Sequence, residues 1–104
     1  MPLPTRPYDS AYYLDDEESI IAYLEEAIEA DDPALFAEAL GVVARAKGMS
    51  QIARDAGMSR ESLYRALSPT GNPEFGTVMK VVRALGLRVS VRPAASLDEP
   101  AARA

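Results

Sequence analysis

The sequence predicts a mainly α fold: five short helices, the third and fourth joined by a tight glycine turn, and one short C-terminal β-strand. Three observations predict it. Apolar residues recur at three- and four-residue spacing in successive windows, and Gly or Pro beside Asp, Asn or Ser punctuates those windows. One segment alone, "LRVSVRP" at 87–93, alternates strictly between apolar and polar. The chain has 104 residues, 48% hydrophobic and 26% charged, which suits one folded domain with a modest core. The expected division is an N-terminal arm at 1–14, a helical domain at 15–92 and a flexible tail at 93–104.

Within the arm, "RPYDSAYYLDD" is aromatic and acidic, and reads as extended chain or a short helical turn. The first helix follows in "DEESIIAYLEEAIEADD", with a stripe of Ile20, Ile21, Leu24, Ala27 and Ile28. Asp15 or Asp16 can cap it, and Glu17 and Glu18 suit the positive end of its dipole. Asp32-Pro33 opens the second helix, "PALFAEALGVVARAKG", with Leu35, Phe36, Leu40, Val43 and Ala44 inward. Gly48 is expected to stop it, after Arg45 and Lys47 in the last turn. Ser50 and Ser59 are natural N-caps for two helices of about eight residues, "SQIARDAG" and "SRESLYRAL", with Gly57 free to turn left-handed between them. After the turn "SPTGNP", Asn72-Pro73 is expected to cap the fifth helix. Its stripe is Phe75, Val78, Met79, Val82 and Leu85, and Gly86 closes it.

The absences narrow the chemistry. With no cysteine there is neither a disulfide framework nor thiolate chemistry, and with no histidine the commonest metal ligand and neutral-pH acid–base group is missing. Glu25 and Glu29 can share a helical face, but no glycine-rich phosphate loop or second ligand type joins them or Glu26, Asp31 and Asp32. An enzyme, a metal or a cofactor is therefore not expected. No apolar run reaches the ~20 residues of a membrane span, and "MPLPTRPYDS" lacks the apolar core of a secretory signal, so a soluble cytoplasmic protein is expected.

Charge is unevenly spread. Residues 1–40 hold one basic residue against eleven acids, a balance of −10, whereas residues 41–93 hold nine basic residues against three acids, a balance of +6. The net −5 thus averages two surfaces of opposite sign, which suggests two partners of opposite sign.

The basic half contains the helix pair. Ile52, Ala56, Met58, Leu63 and Ala66 supply its inward positions, and Ala53 is small where the helices must cross. Such a helix–turn–helix unit can place its second helix in the major groove of double-stranded DNA. Arg60, Glu61, Tyr64 and Arg65 then lie on its outer faces. Arg60 can fork onto a guanine edge or a phosphate, and Tyr64 can meet a thymine methyl. Ser59 and Ser62 can donate to phosphates, Gln51 stands at the start of the preceding helix, and Arg54 and Arg65 suit positioning contacts.

The run "ALGVVARAKGMSQIARDAGMSRESLYRALSPTGNPEFGTVMKVVRALGLRVSV", together with "RPYDSAYYLDDEESIIAYLEEAIEADDPALFAEAL", closely resembles the probable addiction-module antidote proteins, HigA-like antitoxins. The likeness spans roughly 6–92, and "SRESLYRALSPTGNPEF" is its most specific part. It implies a compact five-helix Xre/lambda-repressor-like domain. It further implies neutralisation of a small basic toxin of the RelE/ParE/HigB type, and a homodimer that represses its own operon by binding an inverted repeat. The nearest rival reading is a stand-alone prophage-type repressor with the same DNA surface and no toxin.

A basic toxin would suit the acidic half. Residues 8–40 are accordingly expected to contribute to neutralisation, through Asp9, Tyr12, Tyr13 and Asp15 and through Glu25, Glu26 and Glu29 on the first helix. The lone strand needs a second edge, either its twin across a two-fold axis or the extended 8–14. A symmetric homodimer is favoured, formed by Val82 and Leu85 of the fifth helix and Leu87, Val89 and Val91 of the strand.

Overall fold

A computed structural model describes residues 16–94 and holds five helices among them: α1 (Glu17–Glu29), α2 (Pro33–Lys47), α3 (Met49–Ala56), α4 (Arg60–Ala66) and α5 (Phe75–Ala84). Asp16 caps α1, its carboxylate accepting the Ser19 N–H at 2.7 Å, and Asp32 caps α2 by accepting the Ala34 N–H at 3.0 Å with Pro33 next to it. Between α3 and α4, Gly57 has φ 72°. That left-handed backbone lets its N–H reach the Arg54 carbonyl while the Met58 N–H closes on the Ala53 carbonyl at 2.8 Å. Ser59 then caps α4, its Oγ accepting the Ser62 N–H at 3.0 Å.

Packing follows from small and branched apolar residues. α1 lies along α2, and α3 is the hub, touching α2, α4 and α5. Leu40, Val43, Leu63 and Val81 are fully enclosed, and Ala53 is buried at the hub, where a larger side chain would push its neighbours apart. Burying a Leu such as Leu63 stabilises the fold by roughly 1.5–3 kcal/mol, so this one residue does much to seat α4. The turn after α4 folds back tightly. At Gly71 a Cβ would collide with the Arg65 carbonyl oxygen, so only glycine fits there.

Several expectations change. α3 begins one residue early, at Met49 with Gly48 in the cap position, so Ser50 lies inside the helix and caps nothing. α5 begins at Phe75 with Glu74 in its cap position, and Asn72 instead takes φ 45°, a left-handed turn conformation that Asn tolerates. The stripes also rotate. Val81 is in the core, whereas Phe75 is 70% exposed, and Ile21, Ile28 and Leu35 are exposed too. The C-terminal strand is not formed: among the described residues 87–93 carry no strand pairing, because the single chain offers no second edge there. The arm at 1–14 and all but the first two residues of the tail lie outside the described residues.

Candidate nucleic-acid and partner surfaces

The end of α2, the start of α3 and the exposed side of α4 enclose a shallow concavity of about 570 Å³. Three arginines line it, one from each helix: Arg45, Arg54 and Arg60. Gly48, Met49, Ser50, Gln51 and Tyr64 complete the lining, and no acidic residue is among them. No side chain caps α3, so the N–H groups of its first turn, which lack intrahelical partners by geometry, stand where the concavity opens.

Local bonds orient the side chains. The Gln51 amide is engaged at both ends: its carbonyl oxygen accepts from the Arg54 guanidinium at 2.9 Å, and its NH₂ donates to Asp55 at 3.0 Å. It is therefore held along its own helix and must turn to reach an anion, while Arg54 keeps further N–H donors for one. The Arg60 guanidinium lies 5.5 Å from the centre of the Tyr64 ring, a cation–π contact one helical turn long that keeps the arginine extended over α4.

Four of the eight expected DNA-facing residues thus meet in one place: Gln51, Arg54, Arg60 and Tyr64. Ser59, Glu61, Ser62 and Arg65 sit outside this concavity. Ser59 spends its oxygen as a cap, although its hydroxyl hydrogen can still donate, and Ser62 is half-buried. Glu61 and Arg65 are exposed on α4. Arg45 went unrecognised as a site residue because it reads as a cation complementing the α2 dipole. Its position six residues ahead of Gln51, across the bend at Gly48, is the signal that could have placed it.

The acidic candidates divide. Glu25 and Glu29 face a second groove of about 540 Å³, whose other wall is the chain from Gly86 to Pro93, whereas Glu26 is exposed away from it. Glu25 also meets Arg92 across that groove at 3.8 Å. Asp9, Tyr12, Tyr13 and Asp15 lie outside the described residues. The expected dimer residues divide as well. Val82 and Leu85 are buried in the core of the chain itself and Leu87 is half-buried against it, which leaves Val89 and Val91 exposed. Among the described residues no group of three Asp or Glu could hold a metal, and no helix is long and apolar enough to cross a membrane.

Comparison with known proteins adds a relationship. The model of the family described as "Probable addiction module antidote protein" matches residues 4–93. A protein of Haemophilus influenzae (strain ATCC 51907 / DSM 11121 / KW20 / Rd), described as uncharacterized, is 55% identical over 87 residues, covering 84% of this chain and 90% of that one. No solved structure gives a significant match.

Proposed function

The chain belongs to the probable addiction module antidote family, and we propose that it is the antitoxin of a type II toxin–antitoxin module, binding its toxin directly and repressing its own operon through α3 and α4. One observation carries the DNA half of this reading. Three arginines from three helices converge with the uncapped start of α3, and no carboxylate lines the same concavity. That arrangement suits a phosphate backbone, with α4 presented to the major groove. Arg45 and Arg54 then fix the protein on the backbone, and Arg60, steadied over Tyr64, reads a base edge. Ser59, Ser62 and Arg65 flank these contacts, and Glu61 suits a cytosine amino group.

The antidote half rests on the family and on charge. A RelE/ParE/HigB-like toxin is basic, and an acidic α1 with the arm before it would attract and cover it. Two measurements test the reading together. The chain should bind DNA from its own upstream region more tightly than scrambled DNA at fixed salt, and co-expression should rescue cells from the toxin encoded beside it. Equal affinity for both DNAs would remove the repressor, and a lack of rescue would remove the antidote.

A further inference from the structure

We infer that Asp55 is a positioning residue for DNA binding: through Gln51 it sets the direction in which Arg54 presents its guanidinium to a phosphate. The inference rests on the DNA reading of the arginine concavity, and adds to it a residue that lies outside that concavity.

Asp55 stands in an unfavourable place. Residues 41–93 hold three acids, Asp55, Glu61 and Glu74. Glu74 occupies the cap position of α5 and Glu61 the first turn of α4, where the positive end of a helix dipole favours a carboxylate. Asp55 is in the last turn of α3, at the end of the dipole that disfavours it. It also lies on a helix that faces a polyanion, which its charge repels. What it gains is one bond: its Oδ1 accepts from the Gln51 NH₂ at 3.0 Å.

That bond decides how the amide is turned. Gln51, Arg54 and Asp55 share a face of α3, because residues three and four apart are neighbours on a helix. A carboxylate only accepts, so it takes the NH₂ end of the amide and leaves the carbonyl end for Arg54. Turned the other way, the amide would set acceptor against acceptor at Asp55 and donor against donor at Arg54. With Asp55 in place, the Arg54 Nη1 donates to the Gln51 Oε1 at 2.9 Å.

Nothing else holds the arginine. Among the described residues its guanidinium makes no ion pair and no second hydrogen bond, and its remaining N–H groups are free where it lines the concavity with Arg45 and Arg60. Control therefore runs from Asp55 to Gln51 to Arg54, through two bonds. A loose arginine gives up rotamer freedom on meeting a phosphate, whereas one already aimed has less to lose.

The sign of one measurement separates this role from bare charge. As a charge alone Asp55 opposes DNA, and its removal would tighten binding. As a positioning residue it assists. Asp55→Ala should therefore weaken binding at least threefold, alike on the upstream duplex and a scrambled one, although the variant is less negative. The slope of log affinity against log salt should become shallower, by up to about 0.9. Residue 55 is exposed, so the circular dichroism of the variant should match the parent's. In an Arg54→Ala background the same change should cause no weakening, because no guanidinium is left to aim.

Tighter or unchanged binding by Asp55→Ala overturns the inference, as does the same weakening with Arg54 already gone. Nitrogen-15 relaxation of the free chain gives a second readout: the Arg54 Nε–H should be more mobile in Asp55→Ala than in the parent, and equal mobility overturns the inference as well. If the parent bound both duplexes equally, the repressor reading would fall while the comparison of variants still decided this one. A parent that bound neither duplex would overturn both.

Discussion

The concavity between α2, α3 and α4 and the groove between α1 and residues 86–93 are nearly equal in volume, about 570 and about 540 Å³, but differ in their balance of charge and apolar surface. The first holds three arginines and no acid. The second holds two glutamates, two arginines and exposed aliphatic side chains. Size therefore says nothing about what either surface takes. A surface of one sign suits a polyanion, whose charge repeats along its length, whereas a surface with both signs and aliphatic residues suits a protein face. The −10 and +6 stretches of the sequence anticipate this division, but the fold blurs it by carrying Arg88 and Arg92 round to α1.

The largest perturbation breaks both surfaces at once. Leu63 is fully enclosed and holds α4 to the hub, so Leu63→Ala should cost about 2–5 kcal/mol by urea denaturation. DNA binding and toxin binding should fail together as temperature rises. Loss of DNA binding alone, with stability unchanged, would show that α4 is seated by something other than this side chain.

Arg60→Ala separates the surfaces. It should weaken operator binding by ~1–3 kcal/mol and relax preference at one base position, leaving the groove beside α1 untouched. Equal losses on operator and scrambled DNA would reduce Arg60 to a phosphate contact. Glu26→Lys acts on the other side. Toxin association at low salt should slow by up to about tenfold in stopped-flow mixing, with DNA affinity scarcely altered. An unchanged rate would move the toxin contact away from this part of α1. Arg45→Ala is subtler still: the slope of log affinity against log salt should become shallower by about 0.9, equally on all sequences.

Much of this was legible in the sequence where local rules govern. Asp16, Asp32 and Ser59 cap as their residue types suggest, and Gly57 turns left-handed between two helices whose apolar positions mesh. What escaped depends on neighbours that the sequence does not name. Phe75 fits a helical stripe, but the core lies on the side of α5 that carries Val81, so the ring points to solvent. Gly71 reads as an ordinary turn residue, and only the fold brings the Arg65 carbonyl against it. Arg45 looks like dipole chemistry until the bend at Gly48 sets it beside Arg54 and Arg60. The alternation at 87–92 reads as a strand, but among the described residues no strand forms there, because a pattern cannot supply the second edge.

The smallest expected effect distinguishes the two sides by their caps. α1, a wall of the mixed groove, is capped by a carboxylate, while α4, a wall of the arginine concavity, is capped by a hydroxyl that does not titrate in acid. The Ser19 backbone N–H, and after it the Ser19 hydroxyl, hold the Asp16 carboxyl below the usual aspartate range. A carboxyl lowered in the folded chain contributes stability that is present above its unfolded pKa, about 3.9, and is lost as pH falls through the lower folded value. Melting temperatures of the parent and Asp16→Asn should therefore differ by a small constant amount from neutral pH down to about 4, and converge below that. Ser59→Ala should instead lower the melting temperature by an amount set by a cap worth ~1 kcal/mol, with no such convergence in acid. If the Asp16→Asn difference persisted undiminished at the lowest pH where the chain stays folded, the ionised carboxylate would not be what holds the start of α1.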